Sequence, residues 1–180
     1  MLLKINVVLA FIICLAGQSY AQQSPPTIVL VLRHAEKASA GSDNPDPALS
    51  DAGLKRAQEL IRVAEDAGVN AIYTTQFKRT RETAQPLAAR LGVPINTVEV
   101  NKQNMAEHPS ALAREILSKH KGQTVAVIGH SNTVPLIVEA LGGKKPPAID
   151  DATEFDHLFI VIINKPGDVK TIRARYGKDN

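Results

Sequence analysis

Short continuous apolar runs alternate along this chain with longer stretches in which apolar residues recur every three or four positions. Ile28-Val29-Leu30-Val31-Leu32 is unbroken and rich in β-branched residues, the pattern of a strand buried on both faces. Ala71-Ile72-Tyr73, residues 95–100, 124–128 and 158–163 read as further strands. Helical spacing fills the gaps between them. Ser50 or Asp51 caps a helix running to about Ala67, with Leu54, Ala57, Leu60, Ile61 and Ala64 on one face and Gly68 stopping it. A second helix spans residues 78–91 and ends at Gly92, and a third opens at Pro109 and runs to His120, closed by Gly122. A fourth covers residues 134–141, before Gly142-Gly143. Pro166-Gly167 then turns the chain into an edge strand over residues 169–176. The order βαβαβαβα followed by ββ predicts an α/β fold: a three-layer α/β/α sandwich with a mostly parallel central sheet. In such sheets ligands bind beyond the carboxyl ends of the strands.

Composition narrows the class. With 180 residues, 44% hydrophobic and 22% charged, the chain has the length and apolar content of one packed domain. It lacks the bias of disordered or disulfide-dense proteins. There is no Trp, aromatics are 4%, and a net charge of +3 is scattered, which argues against a nucleic-acid-binding surface. Residues 1–21 read as a secretory signal peptide. Lys4 supplies the positive start, Ile5 to Leu15 is apolar but for Asn6, and Ser19 and Ala21 are the small residues before a cut at Gln22. The run is shorter than the roughly 20 residues a bilayer span needs. An uncleaved anchor or a buried first helix is the alternative. The expected organisation is therefore a signal at 1–21 and one domain at 22–180, secreted or periplasmic, with no stable membrane insertion after cleavage. Cys14, the one cysteine, lies in the signal behind Ile13 rather than the small residue lipid attachment wants. The domain at 22–180 then has no thiol for catalysis, zinc or a disulfide. No feature of the pattern specifies an oligomeric state.

The predicted strand ends gather unusual chemistry. Strand one ends in Arg33-His34-Ala35-Glu36, strand two leads into Thr74-Thr75-Gln76-Phe77-Lys78-Arg79-Thr80, and strand four ends in Gly129-His130-Ser131. Each has an ordinary reading taken alone: a loop histidine, an Arg79–Glu82 helix pair, a hydrogen-bonded His130. Two histidines and several arginines on one sheet edge suit phosphoryl transfer. Guanidinium matches phosphate with a bidentate fork, and neutral imidazole is a nucleophile near neutral pH. A protonated second imidazole, and the positive end of the helix near Val134, would stabilise the transferred group. Arg79 and Arg81, two apart on a helix, point about 200° apart, so one of them faces away.

These three motifs, with Thr83-Ala84, resemble the histidine phosphatase superfamily, in the branch shared with cofactor-dependent phosphoglycerate mutase and small bacterial phosphohistidine phosphatases. The resemblance covers most of residues 22–180 and implies a phosphoglycerate mutase-like fold with no cofactor and no metal. It implies His34 as nucleophile, Arg33 and Arg79 as clamps on the phosphoryl oxygens, and His130 completing the pocket. Arg79 rather than Arg81 holds the family position. Thr75 stands where a Ser is common and offers a hydroxyl to the phosphate, and Ala35 replaces a common Gly. The segment that carries a proton-donating Glu in mutase-like members is missing, which argues against mutase activity. Glu107 is the candidate donor by location, with an exposed carboxylate before a helix as its ordinary reading, and Glu36 is the rival. The expected function is an exported, metal-independent phosphatase acting on a small phosphorylated substrate through phosphohistidine on His34. Phosphoramidates and aryl phosphates fit a donor-poor site. The alternatives are a non-catalytic phosphate-binding module, and a metal-dependent hydrolase using His34, His130, Glu36 and His157. The outer wall of the pocket is expected from residues 37–49, 101–108 and 144–157.

Overall fold

The computed structural model describes residues 24–38 and 44–177. The predicted signal segment, with Cys14 and the cut before Gln22, lies outside the described residues. The chain runs β1 (Thr27–Arg33), α1 (Asp51–Ala64), β2 (Val69–Thr75), α2 (Lys78–Leu91), β3 (Ile95–Val98), α3 (His108–Lys119), β4 (Thr124–Gly129), α4 (Val134–Ala140), β5 (His157–Lys165) and β6 (Asp168–Arg175). Six strands form one sheet in the order β3-β2-β4-β1-β5-β6. The first four in that order are parallel, and β5 and β6 close one side antiparallel. This is the predicted mostly parallel sheet, with the last strand at an edge.

Period-two alternation divides the core. Val29 and Val31 point to the face covered by α3 and α4, joining Leu112, Ile116, Ile137 and Val138. Leu30 and Leu32 point the other way, joining Leu60, Leu87, Ile72 and Ile128 under α1 and α2. Helices thus cover both faces, as the continuous apolar strands demand.

Element ends refine the sequence reading in three informative places. Ser50, not Asp51, caps α1, its Oγ accepting from the Gly53 N–H at 3.1 Å. The helix stops at Ala64, and Gly68 at φ 65° serves the turn into β2 rather than the helix end itself. β3 stops at Val98 because the Gln76 side chain grips Val100, donating to its carbonyl at 2.7 Å and accepting from its N–H at 3.0 Å. That grip sets Val100 at the mouth of the site described next.

Candidate active site

Register brings the two histidines together. β1 and β4 run parallel with Arg33 opposite Gly129, and the His34 N–H donates to the Gly129 carbonyl at 2.9 Å. The next residues, His34 and His130, therefore leave adjacent strand ends side by side, ring centroids 5.4 Å apart. A cavity of about 450 Å³ opens above them. His34, His130 and Arg79 line its floor, with Lys37, Phe77, Val100, Met105, Asn132 and Asp151 around the wall. Lys37, Met105 and Asp151 come from the three loop segments expected to supply it.

His34 is 3% exposed. Its Nδ1 lies 2.7 Å from the Ala35 carbonyl, and a carbonyl only accepts, so Nδ1 carries the hydrogen. Nε2 is left with its lone pair. Burial, helped by the charges of Arg33 and Arg79, lowers the His34 pKa from 6.5 to about 4, so the ring is neutral at physiological pH. Ala35, which stands where the family commonly has Gly, is not at positive φ and is fully buried. The Ala35 N–H donates to Thr83 Oγ1 at 2.9 Å, and that hydroxyl donates to the Arg79 carbonyl at 2.7 Å, tying the His34 loop to α2.

His130 is oriented by a chain of hydroxyls. Thr80 Oγ1 has carbonyls of Phe77 at 2.8 Å and Thr75 at 3.0 Å to receive its one hydrogen. Thr75 Oγ1, 3.0 Å from it, then donates to Thr80 and accepts from His130 Nε2, also at 3.0 Å. Nδ1 of His130 is left bare. Burial foremost, then His34 and Arg79, pushes the His130 pKa down to about 3. The second imidazole is therefore neutral at physiological pH; the sequence reading gave it a stabilising role only if protonated.

Arg79 reaches the cavity from α2, its guanidinium 4.4 Å from the Phe77 ring centre and 3.6 Å from Asp46. Asp46 also caps α2, accepting from the Lys78 N–H at 2.9 Å. Arg81 is exposed and does not line the cavity.

Four expected placements are revised. Thr75 does not line the cavity: it is 2% exposed, and its hydroxyl positions His130. Arg33 lies beneath the site, fully buried. Its Nη1 donates to the carbonyls of Asp150 and Glu154, and its Nη2 to the Asp151 carbonyl and carboxylate. Only its Nε, buried and unpartnered, is left for an anion. Glu36 lies outside the cavity, both carboxylate oxygens paired with Arg56 at 2.8–3.0 Å; burial raises its pKa, but Arg56 outweighs that and lowers it. Glu107 is exposed at the start of α3 and also stands outside the cavity lining. At the start of α4, the Thr133 and Val134 N–H groups both donate to the His130 carbonyl.

Of the residues considered for metal binding, His34 and His130 stand side by side, whereas Glu36 and His157 lie away from them. His157 is buried on β5 with Glu154 and Arg173. Among the described residues no three His, Cys, Asp or Glu side chains converge to hold a metal ion, and no helix is long and apolar enough to cross a membrane. Sequence reasoning missed Asp46 and Asp151. Both sit in irregular loops, where no periodicity marks them.

The sequence profile of the histidine phosphatase superfamily (branch 1) matches residues 29–100. Comparison with curated proteins gives no match. Among solved structures, the chain is similar to SixA from Agrobacterium tumefaciens, a candidate phosphohistidine phosphatase. That likeness has TM-score 0.59 at 20% identity over 84% of this chain and 98% of the other. A protein histidine phosphatase SixA complexed with tungstate gives TM-score 0.61 at 16% identity, over 82% and 96% of the two chains. A phosphoserine phosphatase from Entamoeba histolytica, in complex with 3-phosphoglyceric acid, gives 0.58 at 13%, over 85% and 98%. The profile over residues 29–100 and the fold thus agree: this chain has the fold of these phosphatases, and its first half is similar to the histidine phosphatase superfamily, branch 1.

Proposed function

We propose that the protein is exported and hydrolyses a small phosphorylated substrate by way of a phosphohistidine on His34, without a metal. The observation that carries this reading is the 2.7 Å contact from His34 Nδ1 to the Ala35 carbonyl. It leaves Nε2 unprotonated in a cavity whose cations, Arg79 and Lys37, attract an anion. In the first step Nε2 takes the phosphoryl group and the P–O bond to the leaving group breaks. Arg79 neutralises the equatorial oxygens, the buried charge of Arg33 beneath adds to the field, and His130 takes a proton from solvent and donates it to them. Water then releases phosphate. Phosphohistidine, the aryl phosphates and other substrates with good leaving groups suit this site, because neither Glu36 nor Glu107 lines the cavity. The apolar wall of Phe77, Val100 and Met105 gives such a group a surface to rest on.

One preparation tests the reading. Protein recovered from the envelope fraction of an expressing bacterium should begin at Gln22 and hydrolyse p-nitrophenyl phosphate in EDTA. The His34→Ala variant should lose at least about a thousandfold in rate. Retention of the N-terminal segment in a cytosolic protein would overturn export, and turnover surviving in His34→Ala would overturn the mechanism.

A further inference from the structure

Among the described residues lining the cavity, Asp151 is the one carboxylate. Its loop is built to hold it there. Arg33 binds the carbonyls of Asp150, Asp151 and Glu154 at 2.8–3.0 Å. Asp150 Oδ1 accepts from the N–H groups of Ala152 and Thr153, and the Asp150 N–H donates to Glu154 at 2.8 Å. The side chain is nevertheless 64% exposed, on the cavity side of a fixed backbone. Its two oxygens have different tasks. Oδ1 accepts from Arg33 Nη2 at 2.6 Å and Ser131 Oγ at 2.8 Å. Oδ2 has only Lys37 Nζ near it, at 4.0 Å, too far for a hydrogen bond.

We propose that Asp151 is the general base of the second half-reaction, an assignment that rests on the phosphohistidine reading above. The water oxygen bonds to phosphorus while the P–N bond breaks, and its electron pair returns to His34 Nε2. Oδ2 of Asp151 takes one water proton, which then passes to solvent. Phosphate leaves, and the Nδ1–H of His34 stays on the Ala35 carbonyl throughout. The groups facing Asp151 keep it ionised for this task. Burial raises its pKa, but Ser131, Arg33, Lys37 and His34 outweigh burial and hold it below the ordinary carboxylate range, with Arg79 across the cavity acting in the same sense. A carboxylate so held is a poor acid and an available base. Its worth falls in the usual range for positioned proton transfer, about 10²- to 10⁴-fold.

Rapid-mixing kinetics of the purified protein with p-nitrophenyl phosphate test this, comparing wild type with Asp151→Asn, which keeps the shape and the contacts at Oδ1. In Asp151→Asn a burst of about one p-nitrophenolate per enzyme should appear. Its rate should stay close to wild type, while steady turnover falls at least 100-fold and acid-labile phosphoenzyme accumulates. The burst itself reports a folded pocket and a working nucleophile. Steady turnover within about twofold of wild type would overturn the proposal. Loss of burst and turnover together would also overturn it, making Asp151 a support of the loop. A wild type that never forms phosphoenzyme on rapid quench, with His34→Ala still active, would instead overturn the underlying mechanism.

Discussion

His34 and His130 are both kept neutral, and that has a consequence for pH. The folded pKa of His34, about 4, lies below the 6.5 of the unfolded chain. As pH falls, the unfolded state takes the proton first, so protonation favours unfolding. Stability should be full above about pH 6.5 and decline down to about pH 4, by roughly 3 kcal/mol for His34. Urea unfolding of wild type and His34→Gln across this window measures it: the variant should lose less, and parallel curves would contradict the assignment. The same shift keeps the His34 ring neutral well below the ordinary histidine range. At this scale the sequence was most legible where a residue's chemistry is rare, as with the paired His34 and His130. It misled where proximity along the chain stood in for proximity in space. Glu36 is two residues from His34, yet its side chain leaves the opposite way toward Arg56. Thr75 carries the right hydroxyl but donates it inward to Thr80.

Between elements, buried polar links hold the pocket's parts in place. Arg56 of α1 joins Glu36 to the Tyr176 carbonyl at the end of β6, so one side chain ties three segments. Gly53 allows this approach, for a Cβ there would collide with the Glu36 carbonyl. Glu36→Gln leaves the Arg56 charge largely buried and should destabilise the protein by about 2–3 kcal/mol, a little under the cost of breaking a fully buried pair. Turnover on a poor leaving group such as an alkyl phosphate should change less than about threefold, since Glu36 stands outside the cavity. Denaturation and alkyl-phosphate rates measured side by side check this. Unchanged stability with activity down 100-fold would return Glu36 to the role of proton donor. The helices and strands were legible because their apolar spacing is periodic. The links among them were not, because contacts such as Asp46 to the start of α2 join loops whose positions only the packed fold sets.

At the scale of the whole molecule, alternation of strands and helices foretold a parallel sheet with helices on both faces, and the rule of strand ends foretold where chemistry gathers. It did not foretell the β3-β2-β4-β1 order, on which the site depends. Because β4 lies between β1 and β2, His130 sits with His34 on one side and Thr75 on the other. A register slip of one residue would turn His34 to the opposite face. On the proposed mechanism, the fold makes a nucleophile of one ordinary imidazole by fixing its tautomer, its protonation and its neighbours together. That claim is tested most directly by trapping. Protein quenched during turnover of a phosphate ester, digested and examined by mass spectrometry under neutral to basic conditions should carry one acid-labile phosphoryl group on the peptide containing His34. The group should be absent from His34→Ala and should disappear on brief acid treatment. Turnover with no covalent phosphoryl group, or with one on a residue other than His34, would contradict the account.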